Sequence, residues 1–190
     1  MRLRQIANHP KICNIEDSQS VNESGKFDEV VDMLNAIIQD KSHKILLFSS
    51  FVSQLELYAN YLDENSIKYS LLTGESTNRE SLVTEFQENT ENQIFLISIK
   101  AGGVGLNLTA ADYVFLLDPW WNPAVENQAI SRAHRIGQTN KVFVYRFITE
   151  NSIEEKIRSL QEKKKELADT FIQNENSMVF SLESVNYLFD

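Results

Sequence analysis

The chain has 190 residues, 42% of them hydrophobic and 24% charged, enough for one domain with a sizeable core. No apolar run approaches the roughly 18 residues that span a bilayer, and the apolar stretch after Met1 is too short for an export signal, so neither a membrane protein nor a secreted one is expected. The lone Cys13 excludes an intrachain disulfide and makes no zinc set with His9, and a net charge of −9 argues at first against a nucleic-acid partner.

In chain order, a short helix is expected over 3–8, followed by a polar stretch at 16–23 that reads as a flexible connection, so that 1–24 form a linker segment. After Ser24-Gly25, the residues Phe27, Val30, Val31, Leu34, Ile37 and Ile38 recur at helical spacing. Residues 44–48, Lys-Ile-Leu-Leu-Phe, lack polar alternation, as a strand buried on both faces of a parallel sheet does. The alternation continues with a helix at 54–64, a strand at 67–72, a helix at 78–88 and strands at 94–99 and 113–117. A helix from Pro123 to about Arg135 and a strand at 142–147 follow. The pattern over 25–149 is that of an α/β fold, a doubly wound, mainly parallel sheet flanked by helices, in which ligands sit at the C-terminal ends of the strands. Ser152-Ile-Glu-Glu155 has the form of a capping box and opens a helix running to about Ile172, with an apolar stripe of Ile153, Ile157, Leu160, Leu167 and Phe171. A polar linker at 173–177 and a short helix at 181–189 complete the last segment, 150–190.

Charge is unevenly spread. Residues 98–147 carry Lys100, Arg132, Arg135, Lys141 and Arg146 against Asp112, Asp118 and Glu126, a net of +2 in a chain of −9. This least acidic segment holds the motifs. In Gln128-Ala-Ile-Ser-Arg132-Ala-His-Arg135-Ile-Gly-Gln138, two arginines three apart lie on one face of the expected helix end. Guanidinium forks match phosphate oxygens, and an arginine delivered to a transferring phosphoryl group stabilises its charge. A solvated basic helix end is the plain alternative for an isolated pair. Upstream, Ser98-Ile-Lys-Ala-Gly102-Gly-Val-Gly105-Leu-Asn107 follows a buried strand and holds three of the six glycines, so backbone approaches something closely there, with Lys100 adding charge. A dinucleotide fingerprint fits poorly because the third glycine is missing. Asp118-Pro-Trp-Trp-Asn-Pro123 is a loop fixed by two prolines, from which both tryptophans cannot easily be buried.

The arginine string resembles the sixth motif of superfamily-two helicases, and its Arg-Ala-His-Arg-Ile-Gly-Gln ending is similar to the SWI/SNF form; Ser131 stands where many helicases have glycine. The glycine string resembles the fifth motif, Ile45-Leu-Leu-Phe-Ser49 the fourth, and Gly74 through Arg79 to Phe86 the segment after it. Residues 3–10 resemble the stretch before this lobe, and 152–172 resemble a brace helix packing back across the lobes. The resemblance implies a RecA-like C-terminal lobe of a DNA-dependent ATPase that translocates on double-stranded DNA. By it, Arg132 and Arg135 reach the γ-phosphate of ATP while Gln128 orients the site. Gly103, Gly105 and Asn107 lie by the nucleotide, and Ser49, Arg79, Ser98, Lys100 and Trp121 face DNA, with Trp120 packing instead.

A phosphate loop is missing. Gly25-Lys26 is followed by Phe27 and lacks the glycine five residues earlier, and Asp28-Glu29 lies on a helix rather than after a strand. ATP and Mg are therefore expected to be held by an N-terminal RecA-like lobe of the same polypeptide, with no metal site here, no ATPase from this chain alone, and a monomeric fragment. Nuclear and bacterial nucleoid locations both stay open. A non-catalytic α/β interaction module and a cofactor enzyme using the glycine loop are the alternative functions.

Overall fold

The computed structural model describes residues 1–13, 23–103, 105–135 and 137–173. The expected linker at 173–177, save its first residue, and the helix at 181–189 lie outside them, as does nearly all of the connection at 16–23. Five parallel strands form one sheet in the order β2-β3-β1-β4-β5: β1 (Ile45–Ser49), β2 (Tyr69–Leu72), β3 (Ile94–Ser98), β4 (Tyr113–Leu116) and β5 (Phe143–Arg146). The three inner strands carry the apolar runs. Every residue of β1 and β3 is buried, which is the double-faced burial their unalternating sequences require.

The pleat divides those runs between two cores. Ile45, Leu47, Ile94, Leu96 and Phe115 point towards α2 (Gly25–Ile38) and α3 (Val52–Glu64), packing on Val30, Leu34, Leu55, Tyr58 and Leu62. Leu46, Phe48, Phe95, Ile97, Val114 and Leu116 form the other core, closed by Phe86 of α4 (Arg79–Glu88) and by Ala129 of α5 (Pro123–Ile130). Polar side chains then set the element ends. Ser24 accepts from the Phe27 amide at the start of α2, and Asn122 from the Ala124 amide ahead of α5, where Pro123 fits the first helical turn. Lys44 donates from its buried ammonium to the carbonyls of Phe86, Gln87 and Asn89, capping α4 at its C-terminus.

Two boundaries differ from expectation for visible reasons. α5 stops at Ile130 instead of reaching Arg135: the amides of Arg132 and Ala133 pair three residues back, with the carbonyls of Ala129 and Ile130, and the carbonyls of Arg132 and Ala133 then turn sideways to the Leu108 amide and the Gln138 side chain. At the start of α6 (Ile153–Gln173), Ser152 accepts from the Glu154 amide, but Glu155 reaches the amide of Asn151 rather than that of the serine; Asn151 sits at φ 54°. The first 13 residues are docked, not loose. α1 (Arg2–Asn8) lies against α6, and a single 3₁₀ turn, Pro10–Ile12, buries Ile12.

Candidate functional site

All five strands run parallel, so their C-terminal ends share one edge. β1 connects outward to β2 and β4 outward to β5, in opposite directions, which makes the crevice between β1 and β4 the switch point where such sheets receive ligands. Here the crevice is filled by the chain itself. Asp118, just past β4, accepts from the Ser49 hydroxyl at 2.8 Å, the Ser50 amide at 2.9 Å, the Ser50 hydroxyl, and Arg4 of α1 at 2.9 Å. Arg4 also donates to the Pro119 carbonyl and lies over the rings of Phe51 and Trp120. Burial pushes the Asp118 carboxyl up to about 6, although the hydrogen bonds from Ser50 and Ser49 and the charges of Arg4 and Lys26 pull the other way.

This knot changes the standing of two residues assigned to DNA. The Ser49 side chain is fully buried and donates to Asp118, with Gln54 as a second partner, so its hydroxyl does not reach the surface. Ser98 is also buried, and its oxygen accepts from the Ala101 amide at 3.3 Å. Lys100 and Trp121 are exposed, Trp121 at 48%, and Arg79 is half-buried at the start of α4. Trp120 is partly buried against the core, as its packing role requires.

The glycine segment combines two demands. A Cβ on Gly102 would stand 3.2 Å from both Ile97 and Phe48, two fully buried side chains that would have to give by a few tenths of an ångström. Gly105 has open space around it but a left-handed φ of +55°, which glycine adopts without strain. Gly103 ends a short 3₁₀ turn, Ala101–Gly103, and Gly105 and Asn107 line a cleft of about 380 Å³ together with Arg79, Glu80, Val83, Thr84 and Leu106. Residues assigned to nucleotide and to DNA thus share one cleft.

Beyond Gly105 the segment runs beside the arginine turn and is stitched to it. The Leu108 amide donates to the Arg132 carbonyl at 3.1 Å, and Gln138 donates from one amide nitrogen to the carbonyls of Thr109, Ala111 and Ala133. Arg132 and Arg135 lie on this non-helical turn, not on a helix face. Arg132 is buried at 3% exposure while Arg135 and Gln128 are exposed. Burial first, and the positive charge of Arg135 second, hold the Arg132 guanidinium below its ordinary value. An anion placed between the two arginines relieves both effects.

The decoy at Gly25-Lys26 is explained by its contacts. The Lys26 ammonium points inward to Glu154 at 2.5 Å, the Leu117 carbonyl at 3.0 Å and Asn8 at 3.3 Å, leaving it unavailable to phosphate. The inward roles of Arg4, Lys26 and Glu154 are not those that their local strings suggest. Asp118 alone had a local signal, an acid directly after a buried strand at its C-terminal end.

Residues 25–137 match the family model of the helicase conserved C-terminal domain. The chain is 42% identical over 157 residues to an uncharacterised ATP-dependent helicase of Schizosaccharomyces pombe, covering 81% of this chain and 15% of that protein. It is 40% identical over 181 residues to the DNA repair protein RAD5B of Arabidopsis thaliana, covering 94% and 14%. The C-terminal part of the Fun30 ATPase domain, a crystal structure, superposes with a TM-score of 0.70 at 40% identity, over 73% of this chain and 45% of that one. The chain therefore spans a small part of the curated relatives it matches, and it belongs to the helicase conserved C-terminal domain family, in its SWI/SNF-type branch.

Proposed function

We propose that this chain is the second RecA-like lobe of an ATP-dependent translocase on double-stranded DNA, supplying arginines to a nucleotide held by a first lobe. The observation that carries the reading is the stitched pair of segments: the glycine segment and the arginine turn are hydrogen-bonded to each other, with two guanidinium groups in one field and the outer one exposed. Arg135 is the residue that reaches the γ-phosphate across the lobe boundary and stabilises the charge that develops on it. Arg132, seated behind, adds positive potential, and Gln128 orients the site. Mg and the groups that activate water belong to the first lobe, since this sequence has no phosphate loop with its Mg-holding hydroxyl, and the lysine of Gly25-Lys26 is committed to Glu154.

DNA contact falls to Arg79, Lys100 and Trp121, with Ser49 and Ser98 acting through the loops they brace. Such binding depends on salt and little on sequence. A DNA partner places the protein with the genome, in nucleus or nucleoid. In the polypeptide that carries both lobes, Arg135→Ala lowers DNA-stimulated ATP hydrolysis by on the order of 10³-fold or more while leaving duplex binding nearly unchanged. Retained hydrolysis sinks the assignment. Trp121→Ala lowers translocation more than ATP turnover, and an equal loss of both removes Trp121 from the DNA face.

A further inference from the structure

The loop that presents Trp121 has no secondary structure of its own, yet the backbone just before it is fully engaged by side chains from three helices. The Trp120 amide donates to Oε1 of Glu126 on α5 at 2.8 Å. Gln161, eight residues into the long helix α6, donates from Nε2 to the Trp120 carbonyl and to that same Glu126 oxygen, the latter at 2.7 Å. Arg146 of β5 reaches the other Glu126 oxygen at 3.5 Å. From the opposite side Arg4 of α1 holds the Pro119 carbonyl at 2.9 Å and the Asp118 carboxylate. Gln161 and Glu126 are both buried, whereas the next residue, Trp121, is exposed.

We infer that Gln161 and Glu126 are positioning residues for Trp121, forming a clamp through which the docking of α6 sets the orientation of the exposed indole. Neither residue touches DNA or nucleotide. Gln161 donates to the Trp120 carbonyl while also donating to Glu126, so an amide at 161 and a carboxylate at 126 form a directional pair. A shift of α6 away from the sheet withdraws that donor and frees the loop. Movement of α6 is thereby coupled to whatever Trp121 touches, and the coupling to DNA rests on the reading of Trp121 given above.

The chain holds two tryptophans. Trp120→Phe keeps the backbone groups of the clamp and leaves Trp121 as sole reporter. In this background, Gln161→Leu is expected to raise the fast component of the Trp121 anisotropy decay and its quenching by acrylamide, with the far-ultraviolet dichroism unchanged. The exchanged pair, Gln161→Glu with Glu126→Gln, keeps a hydrogen bond between the two side chains and an acceptor for the Trp120 amide, but no donor for its carbonyl. It is expected to melt close to the parent and still loosen Trp121. Anisotropy and acrylamide quenching equal to the parent's in both variants overturn the inference. Duplex DNA of 30 base pairs is then titrated into the parent reporter and the variants. Quenching of Trp121 in the parent with several-fold weaker binding in both variants supports the coupling, and equal binding by all three overturns it. A parent whose Trp121 emission ignores DNA refutes the DNA reading of Trp121 and leaves the clamp judged on mobility alone.

Discussion

Two groups of cations in this chain do opposite work. Arg4 and Lys26 are turned inward, each held by a carboxylate, Asp118 or Glu154, whose side chain is fully buried. Lys100 and Arg135 are turned outward, on segments whose backbone is fastened by its own hydrogen bonds. The inner group ties α1, α2 and α6 to the ends of β1 and β4, and the outer group is exposed, where the proposed function has it meet phosphate. A lysine after a glycine, which in isolation suggests phosphate binding, is decided by the carboxylate it finds 128 residues away.

Breaking the inner group has the largest expected effect on stability. Lys26→Ala leaves Glu154 buried with no countercharge, and removing one partner of such a pair costs about 3–5 kcal/mol. Urea denaturation should show that loss, and Lys26→Met combined with Glu154→Leu should recover much of it, since an apolar pair of similar size needs no desolvation. Arg135→Ala should change stability by less than about 0.5 kcal/mol, as a surface substitution does. If the two single variants were equally destabilised, the division into inner and outer cations would fail.

The same division explains what the sequence disclosed. β1 and β3 were legible because four consecutive apolar residues without polar alternation are buried on both faces, and α2 because its apolar spacing is helical. The loops of the site were legible as strings: glycines after a strand, paired arginines, a proline-bounded Trp-Trp. Their depth was not. Ser49 was assigned to DNA because of its place in a string, but whether its hydroxyl faces outward depends on Asp118, 69 residues later. Arg4 has partners 46, 114 and 115 positions away, and no local pattern encodes such distances. The turn after α5 likewise depends on Leu108 and Gln138, which take the carbonyls of Arg132 and Ala133.

Within the outer region, Gly102 and Gly105 separate packing from conformation. Gly102→Ala forces a methyl to within 3.2 Å of Ile97 and Phe48, and overpacking at such a site costs about 1–3 kcal/mol. Gly105→Ala meets no atom within 4 Å but must hold φ +55°, a penalty of about 1 kcal/mol. Thermal melts of the two variants check both, and a Gly102 variant that melts at or above the parent overturns the packing assignment, as a Gly105 variant that does so overturns the conformational one.

The pH dependence of the inner group tests its charges directly. The Asp118 carboxyl is raised to about 6 in the folded chain and lies near 3.9 when unfolded, so between about pH 4 and pH 6 the folded state binds more protons than the unfolded state. Stability contributed by this group is complete below pH 4 and is lost as pH rises through 6, the reverse of a carboxylate whose value is depressed by its partners. Asp118→Asn removes the titration while keeping an oxygen to accept from Ser49 and from the Ser50 amide. At pH 4 the folded parent holds Asp118 protonated, so Arg4 has a carboxylate countercharge in neither protein. The parent alone forfeits stability as Asp118 ionises, and the stability of the parent minus that of the variant therefore falls from pH 4 to pH 6.5 in urea titrations. A difference that instead rises over that interval means that Arg4 and Lys26, not burial, set the ionisation of Asp118, and that the inner cations stabilise its charge more than desolvation opposes it.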